Sequence, residues 1–316
     1  MTSPSPRRLG SSGLDVFPLC LGGNVFGWTA DEAESFAVLD AYAAAGGNFL
    51  DTADSYSAWA DGNRGGESET IIGRWVRARG NRDDMVIATK VSQHPEFPGL
   101  TAATVKAAAD ASLRRLGTGH IDLYYTHFDK PEVPVEEIVG ALDDLVRAGK
   151  VRHIAASNIS PGRLRASLDF SDREGLAKYV ALQPHYNLVS RDTYEGELQE
   201  VAARHGLAAV PYYALAAGFL TGKYRPGSTV DSARAGRVAQ YLDGERGRRV
   251  LTALDEIAQA HDAAVPTVAL AWLAARPTVV APIASARTVE QLPALLAVGE
   301  LTLTDAELAR LTQASA

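Results

Sequence analysis

Gly47-Asn48-Phe49-Leu50-Asp51-Thr52-Ala53-Asp54-Ser55-Tyr56 is a short apolar run that stops abruptly on polar groups. Phe49 and Leu50 suit a strand buried on both faces, and Asp51 stands where that strand would leave the sheet. From Gly47 onward, short runs of this kind alternate with longer amphipathic ones, which predicts βαβ units around a parallel sheet. Eight strands are expected: Pro18–Leu21, Asn48–Asp51, Met85–Lys90, Ile121–Tyr125, Val151–Ala156, Val180–Gln183, Ala208–Pro211 and Val279–Pro282. Eight such units point to the α/β class and a closed (β/α)8 TIM barrel, and 316 residues suit that fold as one domain over residues 1–316. An open doubly wound sheet is the alternative. Ahead of the first unit, Arg8–Leu9 and Leu14–Phe17 flank Gly10-Ser11-Ser12-Gly13, which reads as an N-terminal β-hairpin closing the bottom of the barrel.

Between the strands, apolar residues recur at spacings of three and four over Asp31–Ala45, Ser68–Arg79, Ala102–Leu116, Val135–Ala148 and Thr193–His205, which predicts helices. Thr101 can cap the third of these, and Gly117 and Gly149 can end the third and fourth in left-handed turns. Only Gly218–Gly247 breaks the rhythm. It is rich in Gly, Arg and Ser and lacks apolar periodicity, so it is expected to be a flexible loop insertion, either a functional lid or a mobile surface segment.

Composition removes several function classes. Hydrophobic residues are 46% and charged residues 22% of the chain, enough for a sizeable core. A net charge of −7 without a concentrated basic patch argues against nucleic acid as a partner. Met1–Arg8 has no apolar run behind its charges, and no stretch reaches the roughly 18 apolar residues of a membrane span, so a cytoplasmic protein is expected. Cys20 is the only cysteine, which rules out an internal disulfide and a thiolate metal cluster. The seven histidines include no His-x-His or His-x-x-x-His pair, so a metal-dependent hydrolase is not expected.

In a barrel, reactive groups gather at the C-terminal ends of strands and in the loops that follow. Asp51 ends the second strand, Tyr56 lies in its loop, Lys90 ends the third, and His127 follows the fourth. Those four residue types can assist the reduction of a carbonyl by a hydride donor. Hydride addition puts negative charge on oxygen, which calls for a positioned proton donor and a polarising neighbour. Tyrosine alone, with a pKa of about 10, is a weak acid near neutrality. An adjacent ammonium such as Lys90 would lower that value, Asp51 would keep the ammonium charged and oriented, and His127 would align the carbonyl.

The quoted run resembles the strand-and-loop motif of the aldo-keto reductases. Ile87-Ala88-Thr89-Lys90, Ile121-Asp122-Leu123-Tyr124-Tyr125-Thr126-His127, and Gly149-Lys150-Val151-Arg152 leading to Ser157-Asn158 match further family motifs in order. The similarity extends from the hairpin to about Leu296. The extended loop between Tyr56 and Glu67 most resembles the bacterial branch that also includes the β subunits of potassium channels. The resemblance implies a catalytic tetrad of Asp51, Tyr56, Lys90 and His127, with Tyr56 as proton donor in NAD(P)H-dependent reduction of an aldehyde or ketone.

It also implies a cofactor site. Ser157, Asn158 and Gln183 match contacts to the nicotinamide carboxamide, and Tyr212 matches the aromatic that stacks on the nicotinamide ring. Gly218-Phe219-Leu220-Thr221-Gly222-Lys223 matches the segment folded over the pyrophosphate. Gly23, Asn24, Tyr213, Leu215, Ile283, Ser285, Arg287 and Gln291 complete the expected set. Arg287 stands where the family commonly meets a 2′-phosphate, which favours NADPH and leaves NADH open. Three positions depart from the family pattern: Tyr213-Ala214 replaces a frequent Ser-Pro, Ser285 a usual Gly, and Leu295 a frequent Asn.

Phe26, Trp28, Trp59, His94, Phe97 and Phe128 fall in loops around the mouth of the barrel. They are expected either to line the substrate pocket or to pack beneath those loops. No metal is implied, and the partner is a small-molecule carbonyl compound. The competing reading is a sensor or regulatory subunit that binds cofactor and turns over slowly. Natural substrate, physiological direction and oligomeric state are not legible in the sequence.

Overall fold

The computed structural model describes residues 5–225, 235–242 and 244–316. A hairpin of β1 (Arg7–Arg8) and β2 (Asp15–Val16) comes first. Gly10 in its turn has φ +53°, and a Cβ there would lie 2.2 Å from the Val180 carbonyl oxygen, so a side chain would push the hairpin off the barrel's lower rim. Leu9 and Val16 enter the barrel floor and pack with Cys20, Phe49, Val180 and Ala208.

The main sheet begins with β3 (Cys20–Gly22), β4 (Phe49–Asp51) and β5 (Val86–Val91). A small antiparallel pair outside it, β6 (Gln93–His94) and β7 (Phe97–Pro98), follows. The sheet continues through β8 (Ile121–Thr126), β9 (Val151–Ser157), β10 (Tyr179–Gln183), β11 (Ala208–Ala209) and β12 (Ile283–Ala284). All eight strands are parallel, in the order β11-β10-β9-β8-β5-β4-β3-β12.

The segment from Thr278 to Ala284 joins the two ends of that order. On one side Ala209 donates its amide to Thr278 O at 2.8 Å, and Val280 and Ile283 donate to Ala209 O and Pro211 O at 2.9 Å. On the other side Cys20 donates to Pro282 O at 3.0 Å, in register with Ile283. Regular pairing of the eighth strand therefore falls at Ile283–Ala284, just after the expected Val279–Pro282, whose Val279 and Val280 pair with Ala209. Pro277 and Pro282 carry no amide hydrogen, so regular pairing starts only at Ile283, and Val279 keeps a single bridge to Ala209.

The helices are α1 (Glu32–Ala44), α2 (Glu67–Arg79), α3 (Ala102–Leu116), α4 (Val135–Arg147), α5 (Pro161–Glu174), α6 (Glu197–Arg204), α7 (Ala235–Leu242), α8 (Glu245–Ala260), α9 (Val265–Ala274), α10 (Leu292–Leu296) and α11 (Asp305–Ala314). Thr101 caps α3 and Gly117 ends it in the left-handed region, as expected. From α1, the Tyr42 hydroxyl donates to Leu19 O at 2.7 Å and accepts from Phe49 N at 3.2 Å, pinning β3 to β4. Its ring lies against Gly47, where a Cβ would come within 2.4 Å.

Two helical expectations change. α6 starts at Glu197, because the Thr193 hydroxyl donates to His185 O and Ser190 O and is held in the preceding turn. Within Gly218–Gly247, the described residues include most of a 3-10 turn (Ala216–Thr221), all of α7 and the start of α8. Residues 226–234 and 243 lie outside the described residues. Among those described, no helix is long and apolar enough to cross a membrane.

Candidate active site

Four side chains meet at the C-terminal mouth because β4, β5 and β8 are neighbours whose ends deliver them there. Lys90, fully buried on β5, donates to Asp51 Oδ2 at 2.7 Å, Thr52 O at 2.8 Å and Tyr56 Oη at 2.9 Å. All three ammonium hydrogens are thereby used. Tyr56 Oη in turn donates to Asp51 Oδ2 at 3.2 Å. The His127 ring stands edge-on to Tyr56 with centroids 6.0 Å apart, and its buried Nδ1 has no partner among the described residues. The four residues expected at this site thus lie together, and the Thr52 carbonyl joins them as a backbone acceptor that no residue-type pattern reveals.

Burial, followed by the Asp51 charge, holds the Tyr56 hydroxyl well above the usual tyrosine range. The depression expected from the ammonium is outweighed, and Tyr56 keeps its proton at neutral pH. Burial also lowers Lys90, with Asp51 opposing. His127 is held well below the usual histidine range by burial and then by the Lys90 charge, so it is neutral.

Asp54 is a second buried acid in the same loop. Its amide donates to Lys90 O at 3.2 Å, and neither carboxyl oxygen has a partner among the described residues. Burial and then Glu69 push its carboxyl well above the usual range, with Arg115 opposing. A raised folded-state pKa contributes stability that is complete below the unfolded value of about 3.9 and is lost as pH rises through the folded value. Asn cannot ionise. Asp54→Asn is therefore expected to match the wild type in thermal unfolding at about pH 4 and exceed it at about pH 8; a difference that does not change with pH would mean that Asp54 is ionised in place.

The amide-rich group assembles at the ends of β9 and β10. Ser157 Oγ donates to Gln183 O at 2.8 Å, Asn158 Nδ2 donates to Ser157 Oγ at 3.0 Å and His127 O at 2.8 Å, and Tyr212 Oη donates to Asn158 Oδ1 at 2.7 Å. Gln183 Nε2 donates to Asp51 Oδ1 at 2.8 Å. Tyr212 stacks on His185 with centroids 5.3 Å apart. A cavity of about 280 Å³ opens behind Tyr212 and Asn158, towards Leu198. Non-glycine residues with positive φ crowd this rim: Ser57 (70°), Ser92 (116°), Asn158 (46°), Tyr213 (54°), Ala216 (49°) and Ala217 (57°). Strain of this kind persists where surrounding contacts over-determine the backbone, which is common at binding sites.

The other expected cofactor residues divide into exposed and internal groups. Tyr213 and Lys223 are exposed, and Leu215 and Gly218 are half-buried. Arg287 and Gln291 lie exposed together, with Gln291 Oε1 accepting the Arg287 amide at 2.9 Å. Asn24 accepts from Ser285 Oγ at 2.6 Å, joining the loop after β3 to that after β12. Gly23 and Ile283 are internal. Gly23 donates to Asp51 O at 2.7 Å and accepts from Ser68 at 2.8 Å, while the Ile283 side chain packs inside the barrel.

Of the expected substrate residues, Trp59 (51% exposed) and Phe128 (42%) border the mouth. Trp59 stands edge-on to Tyr56 and to Trp28, and Phe128 lies 5.1 Å from the His127 ring. Phe26 and His94 do not border it. Phe26 is fully buried in the core, and His94 is buried against Phe97 with its Nδ1 accepting the Glu96 amide at 3.1 Å. Among the described residues, no group of three or more His, Cys, Asp or Glu side chains could hold a metal ion.

Comparison with known proteins points to one family. The sequence profile of the aldo/keto reductase family matches residues 18–316. The chain is 32% identical to an aryl-alcohol dehydrogenase (NADP(+)) of Phanerodontia chrysosporium, over 92% of this chain and 80% of that protein. It is 33% identical to norsolorinic acid reductase stcV of Emericella nidulans (94% and 78%). It is 34% identical to the uncharacterized oxidoreductase YrpG of Bacillus subtilis (96% and 93%). A profile match over nearly the whole chain, with relatives of this similarity along their length, places it plainly: the chain belongs to the aldo/keto reductase family.

Proposed function

We propose that this chain reduces an aldehyde or ketone to an alcohol by hydride transfer from NADPH, with Tyr56 as the proton donor. The observation that carries the reading is a half-buried tyrosine whose hydroxyl is held 2.9 Å from an ammonium and 3.2 Å from a carboxylate.

The amide group fits a nicotinamide carboxamide, which offers both donors and an acceptor. Gln183 spends one amide hydrogen on Asp51, and its Oε1 is an acceptor. That oxygen, together with a remaining lone pair of Asn158 Oδ1, can receive the carboxamide hydrogens. Tyr212 offers a half-buried ring for stacking. When bound, the nicotinamide supplies the hydride, or takes it up in the reverse direction. As charge grows on the substrate oxygen, Tyr56 releases its proton to it, and Lys90 stabilises the phenolate left behind. Asp51 holds Lys90 in place, and neutral His127 orients the carbonyl. The aromatic edges of Trp28, Trp59 and Phe128 favour a flat, ring-bearing substrate. The names of two relatives, an aryl-alcohol dehydrogenase (NADP(+)) and a norsolorinic acid reductase, support both the reaction and the cofactor.

Titration with NADPH and NADH, followed by addition of an activated aromatic aldehyde, tests the proposal. Binding with multiple turnovers supports it, whereas binding without turnover moves the reading to a cofactor sensor. Exposed Arg287 is proposed to meet the 2′-phosphate. Arg287→Ala is then expected to weaken NADPH by about tenfold, as for loss of a charged hydrogen bond, and NADH far less; equal losses for both would remove that role.

A further inference from the structure

We propose that Gln183 is a positioning residue for Asp51, fixing the carboxylate so that a single oxygen faces both Lys90 and Tyr56. The proposal deepens the reductase reading and rests on it for its catalytic consequence. A carboxylate only accepts hydrogen bonds, so the amide nitrogen of Gln183 must be the end that faces it. Asp51 Oδ2 receives Lys90 at 2.7 Å and Tyr56 at 3.2 Å, and Oδ1 receives Gln183 at 2.8 Å. The terminal torsion of an aspartate is broad. With Oδ1 held, Oδ2 stays beneath the phenol; without it, the carboxylate can turn and share Lys90 differently.

The contact depends on barrel closure. β10 and β4 lie four places apart in an eight-strand order whose ends meet, so they are opposite walls, and this bond spans the interior between them. Gln183 is itself buried and held on the far side, its backbone oxygen accepting from Ser157 Oγ in the register that pairs Gln183 with Ser157. A residue serving only the carboxamide would have no need to reach Asp51.

Two variants test the proposal. Gln183→Glu is isosteric, and its carboxylic acid donates to Asp51 only while protonated; two carboxylates this close cannot both ionise freely. The other titratable groups around Asp51 are Lys90, Tyr56, Cys20 and Tyr125. The cofactor-free Gln183→Glu protein is expected to approach wild-type thermal stability at about pH 5 and fall progressively below it towards pH 8. Its turnover at saturating cofactor should fall by about tenfold relative to wild type over the same range. In a crystal structure of cofactor-free Gln183→Leu, the Asp51 carboxylate should be rotated away from its wild-type setting. Overturning results are a Gln183→Glu stability that parallels wild type at every pH, or an unmoved Asp51 in Gln183→Leu. The stability and crystallographic arms need neither cofactor nor substrate, so they are separate from the hydride-transfer reading, which wild-type turnover decides.

Discussion

Tyr56→Phe is expected to lower turnover by about 100- to 10,000-fold, the range for loss of a positioned general acid, while the protein stays folded and cofactor affinity changes by no more than about twofold. The substitution removes one oxygen and little else. The ring keeps its edge contacts with Trp59 and His127. Lys90 loses one acceptor but retains Asp51 and the Thr52 carbonyl, so the buried ammonium is not stranded. What disappears is the hydroxyl proton that Tyr56 donates to Asp51 Oδ2 at 3.2 Å, the proton the proposed reduction uses. In the wild type, Tyr56 is held protonated by burial and by Asp51, so reduction should show no acid–base limb from this group across neutral pH. Steady-state rates at saturating NADPH, beside a fluorescence titration of the cofactor, separate the two quantities. A variant that turns over within about threefold of wild type would remove Tyr56 from the proton-transfer role.

Why these four residues could be read from sequence, when others could not, follows from how far each depends on contacts across the chain. Asp51, Lys90 and His127 sit at the boundaries of apolar runs, and a parallel strand buried on both faces makes that boundary visible. Tyr56 lies five residues beyond one of them. The eighth strand was displaced because its pairing is decided by Cys20 and Ala209, and by prolines whose missing donors matter only once the neighbours are known. Phe26 and His94 illustrate another limit. Residue type reveals an aromatic ring in a mouth loop, but its depth is set by what packs above it; the loop carrying Gly65 comes so close that a Cβ there would lie 3.0 Å from the His94 ring. Local capping rules were enough for α3, while α6 began later because Thr193 bonds to carbonyls outside the helix. The Gln183–Asp51 bond joins residues 132 apart and exists only because the barrel closes, so no local pattern contains it.

Lys90→Met is expected to destabilise the protein by about 3–5 kcal/mol at neutral pH and to abolish measurable turnover. Lys90 and Asp51 are 0% and 2% exposed, so removing the ammonium leaves a carboxylate in the barrel with Tyr56 and Gln183 as its remaining donors. Neither donor is charged. Asp51 in the variant then gains by taking up a proton, and a carboxyl whose folded-state pKa rises has its full stability below the unfolded value, losing it as pH increases. The deficit relative to wild type should accordingly shrink towards about pH 4 and be largest at about pH 8. Chemical denaturation at those two pH values measures it. Adding Asp51→Leu to Lys90→Met should restore most of the lost stability, because replacing both partners of a buried pair with apolar groups costs far less than removing one. It should restore none of the turnover, since the phenolate left by Tyr56 would still lack its counter-charge. If the double variant were no more stable than Lys90→Met alone, the loss would have to be assigned to packing rather than to the stranded charge.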